Sequence, residues 1–448
     1  MNKPIHESET RTVRDLKELL PERWKLIKLK LVCNIETGFA FPSEVFGETG
    51  TPVIRITDIK NREINLSEIK RVDDLLLKSK PKRPSVNKGD IIMAMTGATI
   101  GKVGYYNSDK PSYLNQRVCR FIPASIDRGY LWHTLNSEIY KKYIELEAFG
   151  GAQANISDSQ LLNFPAPLPE LEAEQQKIAQ FLDYETAKID ALIDEQKRLI
   201  ELLKEKRQAV ISHAVTKGLN PDAPMKDSGI EWLGEVPEHW EIKKLKFCSR
   251  MLSDKGKDNT NAISLENIEN GTGAFIKTES NFDQEGVLFE PLDILFGKLR
   301  PYLAKVYLAR EHGSALGDIL VFRANKDISP EFLFFRLISQ EFIRQVDQSS
   351  YGSKMPRANP ELIKSLQIAV PPIEEQVKVS DYLANLQFNK IMPSVINASS
   401  LVKLLEERRS ALISAAVTGK IDVRDWQPPA GSDTVDSNAS VQTERHYG

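Results

Sequence analysis

"LLKEKRQAVISHAVTKG" (202–218) and "LLEERRSALISAAVTGK" (404–420) are one helix ending written twice. Working outward from them, "PELEAEQQKIAQFL" (169–182) answers to "PIEEQVKVSDYL" (372–383), and "GDIIMAMTGATIGKVGYY" (89–106) to "LDILFGKLRPYLAKVYLA" (292–309). Further out, "PERWKLIKLK" (21–30) returns as "PEHWEIKKLK" (237–246). The pairs keep their order at separations of about 200 to 216 residues. Four collinear matches identify a single large unit duplicated, not a solenoid of short repeats.

Each copy changes character along its length in the same way. Residues 21–165 and 237–369 hold short β-rich runs such as "TPVIRITDI" and "DILFGKL", punctuated by Gly, Asn, Asp and Pro, with helical stretches between them. They read as two α+β domains. Prolines in "PAPLPELEAEQ" and "AVPPIEEQ" then precede an acidic first turn, a helix start. The expected organisation is an N-terminal segment 1–20, a first globular domain 21–168, a helix 169–219, a linker 220–236, a second domain 237–371, a helix 372–420 and a disordered tail 421–448.

In the first helix Ile178, Leu182, Ile189, Leu192, Leu199 and Leu203 recur on steps of three and four, the seam of a coiled coil. From 172 to 216 it would run roughly 65 Å at 1.5 Å per residue. Its natural partner is the second copy, about 374–417, through Leu383, Leu386, Leu404 and Leu412. Pro393 removes a backbone donor there, so a kink or break is expected near Met392–Pro393. Connectivity makes the pair an antiparallel coiled-coil spacer with a domain at each end and a pseudo-two-fold between the copies. Two similar modules on a stiff spacer suit the two half-sites of a DNA duplex. "MTGATIGKVG" in one copy stands where the other has "GKLRPYLAKV", so the two half-sites should differ.

Bulk properties agree with such a protein without announcing it. The 448 residues suggest two to four domains, and 41% hydrophobic with 27% charged residues is the composition of a soluble globular chain. No apolar run reaches the roughly 18 residues of a membrane span, and the opening "MNKPIHESETRTVRDLKELL" lacks a signal segment, so a cytoplasmic location is expected. Cys33, Cys119 and Cys248 lie far apart with no paired spacing, which indicates neither a disulfide framework nor a zinc site. Net charge is −2. Its distribution is uneven: residues 21–165 hold 21 Lys and Arg against 16 Asp and Glu, whereas 237–369 are balanced.

These residues resemble a known family. "KDSGIEWLGEVPEHWEIKKLK" (226–246), "KGDIIMAMTGATIGKVG" with "YLNQRV" in the first domain, and the two helix endings make most of the chain similar to the specificity subunit of type I restriction-modification systems, host-defence complexes. The N-terminal copy departs from the pattern in lacking a clean "SGIEWLGE". The resemblance implies that the globular regions are target-recognition domains for double-stranded DNA and that the helices bind two methyltransferase (modification) subunits and lead on to two restriction (motor-nuclease) subunits. It implies a non-catalytic chain, with S-adenosylmethionine, ATP and magnesium held by those partners and adenine the base methylated.

"TGATIGKVG" invites another reading, a phosphate-cradling P-loop. Three residues separate Gly97 from Gly101 where four are needed, and Val103 follows Lys102 where a metal-holding hydroxyl belongs. The stretch instead reads as a turn between strands whose glycines permit close approach and whose Lys102 meets DNA phosphate. The counterpart keeps cations without the glycines. Candidate DNA contacts are Arg55, Arg62, Lys102, Asn115, Gln116 and Arg117 in the first domain, and Lys298, Arg300, Tyr302, Lys305, Lys354 and Arg357 in the second. Arg, Asn and Gln can pair with guanine or adenine edges. Gly150, Gly151 and Gln153, and Gly352 with Lys354, mark equivalent loops that either face DNA or turn the chain into its helix.

Two rival functions compete with this one. Pro221 and Asp222 followed by Glu241 and Lys243 spell a magnesium-dependent nuclease pattern, but Asp222 falls in a linker and Lys25 replaces Glu241 in the first copy. A coiled-coil scaffold without DNA contact would explain the helices and leave the twin β-rich domains without a purpose. Methyl transfer by this chain itself finds no support, since "NPDA" and "NPEL" lack the Asn-Pro-Pro-aromatic sequence of amino-methylating enzymes.

Overall fold

In the computed structural model, residues 20–60, 62–73, 75, 86–148, 154–256, 261–278, 285–352 and 354–429 are described. The chain divides into two units, residues 1–194 with 402–448, and residues 195–401. The division falls inside a helix, not at a domain edge.

The first unit opens with strand Trp24–Lys28, paired antiparallel to Pro165–Pro169. Its main sheet orders Cys33–Thr37, Val118–Pro123, Ile91–Ala94, Val103–Tyr105, Glu63–Ile64 and Ile59–Lys60 side by side. Helix α1 (Arg128–Asn136) starts where the Asp127 carboxylate accepts from the Tyr130 N–H, and α2 (Glu138–Glu147) where Ser137 does the same for Tyr140. Helix α3 (Asp158–Leu162) closes the domain, and α4 (Glu172–Lys217) leaves it. Met93, Cys119, Phe121, Tyr130, Leu135, Tyr140 and Leu161 form the core, with Ile178 and Leu182 of α4 packed into it.

The second unit repeats this plan. Strand Glu241–Lys244 pairs with Gln367–Val370, and a sheet runs Ser249–Leu252, Ile319–Ala324, Ile294–Gly297 and Val306–Leu308. Register is preserved: Ile91 faces Tyr105 and Ala94 faces Val118, as Ile294 faces Leu308 and Gly297 faces Ile319. Helix α5 (Leu245–Cys248) stands at the sheet entry. Next come α6 (Pro330–Ile338), α7 (Gln340–Gln348) and α8 (Pro360–Ser365), then α9 (Ile373–Leu386) and α10 (Met392–Val417). The core gathers Phe296, Phe322, Phe332, Phe335 and Phe342.

Neither copy completes its own core. Ile413, Ala416 and Val417, from the second copy's helix ending, lie in the first domain's core, and the Tyr130 hydroxyl donates to the Val417 carbonyl at 3.0 Å. Ile211, Ala214 and Val215, from the first copy's ending, lie in the second core, where the buried Arg336 donates to Thr216 Oγ1 at 3.0 Å. The duplicated "AVT" sequences are these reciprocal seals. Each ends at a left-handed glycine, Gly218 (φ 78°) and Gly419 (φ 74°). A Cβ on Gly419 would lie 2.5 Å from the Pro21 ring.

Within the first unit α4 and α10 pack against each other. Residues 413–417 serve the same core as 178–182, while 405–409 lie beside 189–193, the order of antiparallel helices. The seam differs from expectation by one residue on each helix. Ile189 and Ile193 meet Leu405, whereas Leu192 and Leu404 are 47% and 61% exposed. A straight helix turns 3.6 residues, not 3.5, and adjacent apolar residues at 192–193 and 404–405 hide the drift. Leu199 is also exposed, Leu203, Leu386 and Leu412 are half-buried, and Leu383 is buried in the second unit's core. At Pro393 the helix does not break: residues Gln387–Ile391 form a π-helical turn just before it, the wider ring accommodating the lost N–H.

Residues 421–429, expected to belong to the tail, are among the described residues and pack on the first domain. Val423 is buried and Trp426 packs edge-on to Phe181 with ring centroids 5.6 Å apart, because two apolar groups in nine residues suffice to dock the segment. Residues 1–19 and 430–448 lie outside the described residues.

Candidate nucleic-acid interface

One hydrogen-bond pattern builds the same edge in both domains. In the first, the Met95 N–H donates to the Arg117 carbonyl (3.0 Å), Ile156 N–H to Met95 (3.1 Å) and Gly97 N–H to Ala154 (2.8 Å). In the second, Lys298 donates to Asp318 (2.9 Å), Ala358 to Lys298 (2.8 Å) and Arg300 to Pro356 (2.7 Å). The sheet strands ending at Ala94 and Gly297 therefore each feed a short 3-10 turn, Gly97–Thr99 and Pro301–Leu303, flanked by the same two neighbours. Lys102 and Lys305 occupy matching places: their carbonyls accept from Ala94 (3.0 Å) and Gly297 (2.8 Å). The glycine turn of the first copy is thus a structural turn with a counterpart, as the P-loop mismatch implies.

The backbone of the turn survives the loss of its glycines. Gly89, Gly97 and Gly101 have φ of 85°, 68° and 75°, and the residues in their places, Leu292, Arg300 and Ala304, have 72°, 49° and 49°. Such left-handed conformations cost a residue bearing a Cβ about 1 kcal/mol or more. The second domain retains them because the flanking hydrogen bonds over-determine the turn.

Side-chain chemistry divides the candidates. Lys102, Gln116, Arg117, Arg300, Tyr302 and Lys354 are exposed, with no side-chain partner among the described residues. Asn115 is half-buried beside them, its N–H donating to Ile54 (2.9 Å). The others are engaged internally. Arg55 forks onto the buried Asp58 at 2.9 and 3.1 Å, closing the cap of a 3-10 turn. Arg62 pairs through both terminal nitrogens with Asp190 of α4, each at 2.9 Å, and Arg409 of α10 reaches the same carboxylate at 3.0 Å. Lys305 turns inward and donates to the Leu265 carbonyl, and burial lowers its pKa. Lys298 (3.5 Å) and Arg357 (3.0 Å) share Asp318, whose hydrogen bond raises the Arg357 pKa. A cation already neutralised by a carboxylate adds little to the attraction of phosphate. Gly150, Gly151 and Gln153 lie outside the described residues.

Sequence reasoning missed Asp318, which takes the place of Arg117 and offsets one of the second edge's cations. It missed Asp190 too. Arg62 itself sits in a left-handed turn (φ 68°), and the equivalent turn of the second domain, at Gly271 (φ 65°), is held to α4 differently: its carbonyl accepts from Arg207 (2.6 Å) and Gln208 (3.2 Å). The advance sign of Asp318 was a cation, Arg117, at the matching repeat position; Asp190 had none.

The nuclease spelling does not assemble. Asp222 is exposed in the turn after α4, its N–H tied to Asn220 Oδ1 at 3.1 Å, and Glu241 is paired with Lys243 at 2.6 Å. Among the described residues no group of three or more His, Cys, Asp or Glu could hold a metal ion, and no helix is long and apolar enough to cross a membrane.

Comparison with known proteins accords with this geometry. Residues 21–202 and 237–393 match the type I restriction modification DNA specificity domain. The chain is 26% identical over 433 residues to the putative type I restriction enzyme MjaX specificity subunit of Methanocaldococcus jannaschii, covering 90% of this chain and 95% of that one. It is 24% identical to the EcoKI specificity subunit of Escherichia coli K12, over 80% and 81% of the two chains. A shorter match, 32% identical, covers 44% of the chain and 46% of the MjaVIII specificity subunit of M. jannaschii. A chain from a solved type I R-M system, studied for complex assembly and conformational transition, has the same fold, with a TM-score of 0.63 at 16% identity over 90% of this chain and 99% of that one. A duplicated α+β chain whose two domains present equivalent edges of unlike chemistry, and whose sequence matches through both copies, belongs to the DNA specificity subunits of type I restriction-modification systems, the non-catalytic component of those enzymes.

Proposed function

We propose that each domain docks against double-stranded DNA through the edge built around its 3-10 turn, so that the chain reads an asymmetric bipartite site. The observation that carries this reading is the same backbone edge bearing different exposed side chains: Lys102, Gln116 and Arg117 in one copy, Arg300, Tyr302 and Lys354 in the other. Conserved geometry gives both domains one docking mode, and divergent chemistry gives each its own bases. Arg55, Arg62 and Lys305 act as internal braces, and Lys298 and Arg357 shape the second edge through Asp318.

The long helices set the unread gap and recruit two methyltransferase subunits, which bring S-adenosylmethionine and act on an adenine flipped from the stack. Restriction subunits would add ATP- and magnesium-dependent cleavage in the cytoplasm, where the genome lies. Exposed apolar residues on the helices, Leu192, Leu199, Leu202, Ile396 and Leu404 among them, support a partner-binding role.

Methylated-base sequencing of the native host tests this directly. The expected result is a two-part asymmetric motif that disappears when the gene is deleted. A one-turn deletion within residues 185–203 shortens the helix by about 5.4 Å and should shorten the gap while leaving both half-sites unchanged. Unchanged methylation after gene deletion would refute the function, and an unchanged gap the ruler.

A further inference from the structure

We propose that Arg300 is the base-reading side chain of the second domain, directed at a guanine edge, and that its neighbours position it without reading sequence. The inference rests on the DNA-reading function above and goes further by assigning specificity to one residue.

Three observations carry it. Arg300 holds φ at 49° with its N–H fixed to the Pro356 carbonyl at 2.7 Å, so the side chain leaves a backbone with little freedom. Its equivalent, Gly97, has no atom within 4 Å of where a Cβ would stand, which shows that this place on the turn opens outward. Third, Arg300 is exposed, has no side-chain partner among the described residues, and belongs to an edge that leaves large groups in solvent: Tyr302 (54% exposed), Tyr351 (64%) and Met355 (57%). Tyr351 is brought to this edge by its paired hydrogen bonds with Arg357 (3.1 and 2.9 Å).

The shape of the side chain favours a base. Here Lys298 and Arg357 are tied to Asp318 and Lys354 is a single-point donor, so Arg300 is the one fork-shaped cation of this edge without a carboxylate among the described residues. Two parallel N–H donors fit guanine O6 and N7, and apolar neighbours fit a thymine methyl. Strain by itself does not mark the residue, since Leu292 and Ala304 share it without charge or reach. They supply the internal controls.

The test is methylated-base sequencing of native hosts carrying Arg300→Gly, Arg300→Lys, Leu292→Gly or Ala304→Gly in the full-length chain. Both Arg300 variants should lose discrimination at one base pair of the second half-site by about tenfold or more, with the first half-site and the gap unchanged. Both glycine controls should keep the parental motif and melt at a higher temperature. An intact second half-site in Arg300→Lys overturns the proposal, because a phosphate contact tolerates any cation. Relaxed specificity in the controls overturns it as well, by assigning the effect to the backbone. Absence of any bipartite motif in the parental host would instead sink the DNA-reading function, before a single substitution is made.

Discussion

Gln175 and Gln376 show how much one buried amide can organise. The Gln175 Oε1 accepts from the Asp127 N–H at 2.9 Å and its Nε2 donates to the Pro169 carbonyl at 3.1 Å, stitching the start of α4 to the start of α1. Gln376 does the same for α9 and α6, through Ser329 N–H (2.8 Å) and the carbonyls of Pro371 (2.8 Å) and Asp327 (3.1 Å). Both are buried to within a few per cent. Truncating either to Ala strands buried backbone groups and should cost about 1–3 kcal/mol in urea unfolding. Gln→Glu should cost more, because a buried carboxylate cannot donate to the proline carbonyl. In the sequence these were two glutamines in an acidic helix start, with nothing to separate them from solvated neighbours. Only the fold that bends each domain back onto its helix gives them partners.

For the helices the useful comparison is between pattern and packing. Alternation of three and four found the helix and its partner, and the repeat found where both end. It did not find which adjacent residue faces inward, since Leu192 and Ile193 are equally apolar and the drift of a 3.6-residue turn is invisible over two heptads. Nor did it find the Arg62–Asp190–Arg409 cluster that fastens a recognition-domain turn to α4 and α10. Asp190→Asn removes the charge that both guanidinium groups share. At this half-exposed site the expected loss is about 1 kcal/mol, with faster amide hydrogen exchange confined to residues 59–64 and 186–193. Unchanged exchange at 59–64 would show that packing alone holds the turn.

For the molecule as a whole, the duplication is interlocked: each domain is sealed by the helix ending of the other copy. A chain truncated after Leu401 keeps Ile211, Ala214 and Val215 in the second core but removes Ile413, Ala416 and Val417 from the first. Limited proteolysis should therefore cut the first domain, which remains wholly present, and spare the second, which adjoins the truncation. Protection of both would contradict the reciprocal seal. The sequence by itself determined the duplication, the α+β class, the long helices and the family, because periodicity, punctuation and repetition are written along the chain. The tertiary structure alone decided which cations are free and which are spent on Asp58, Asp190, Asp318 or a carbonyl, because a charge is neutralised by whatever the fold brings within about 4 Å of it, at any separation in sequence.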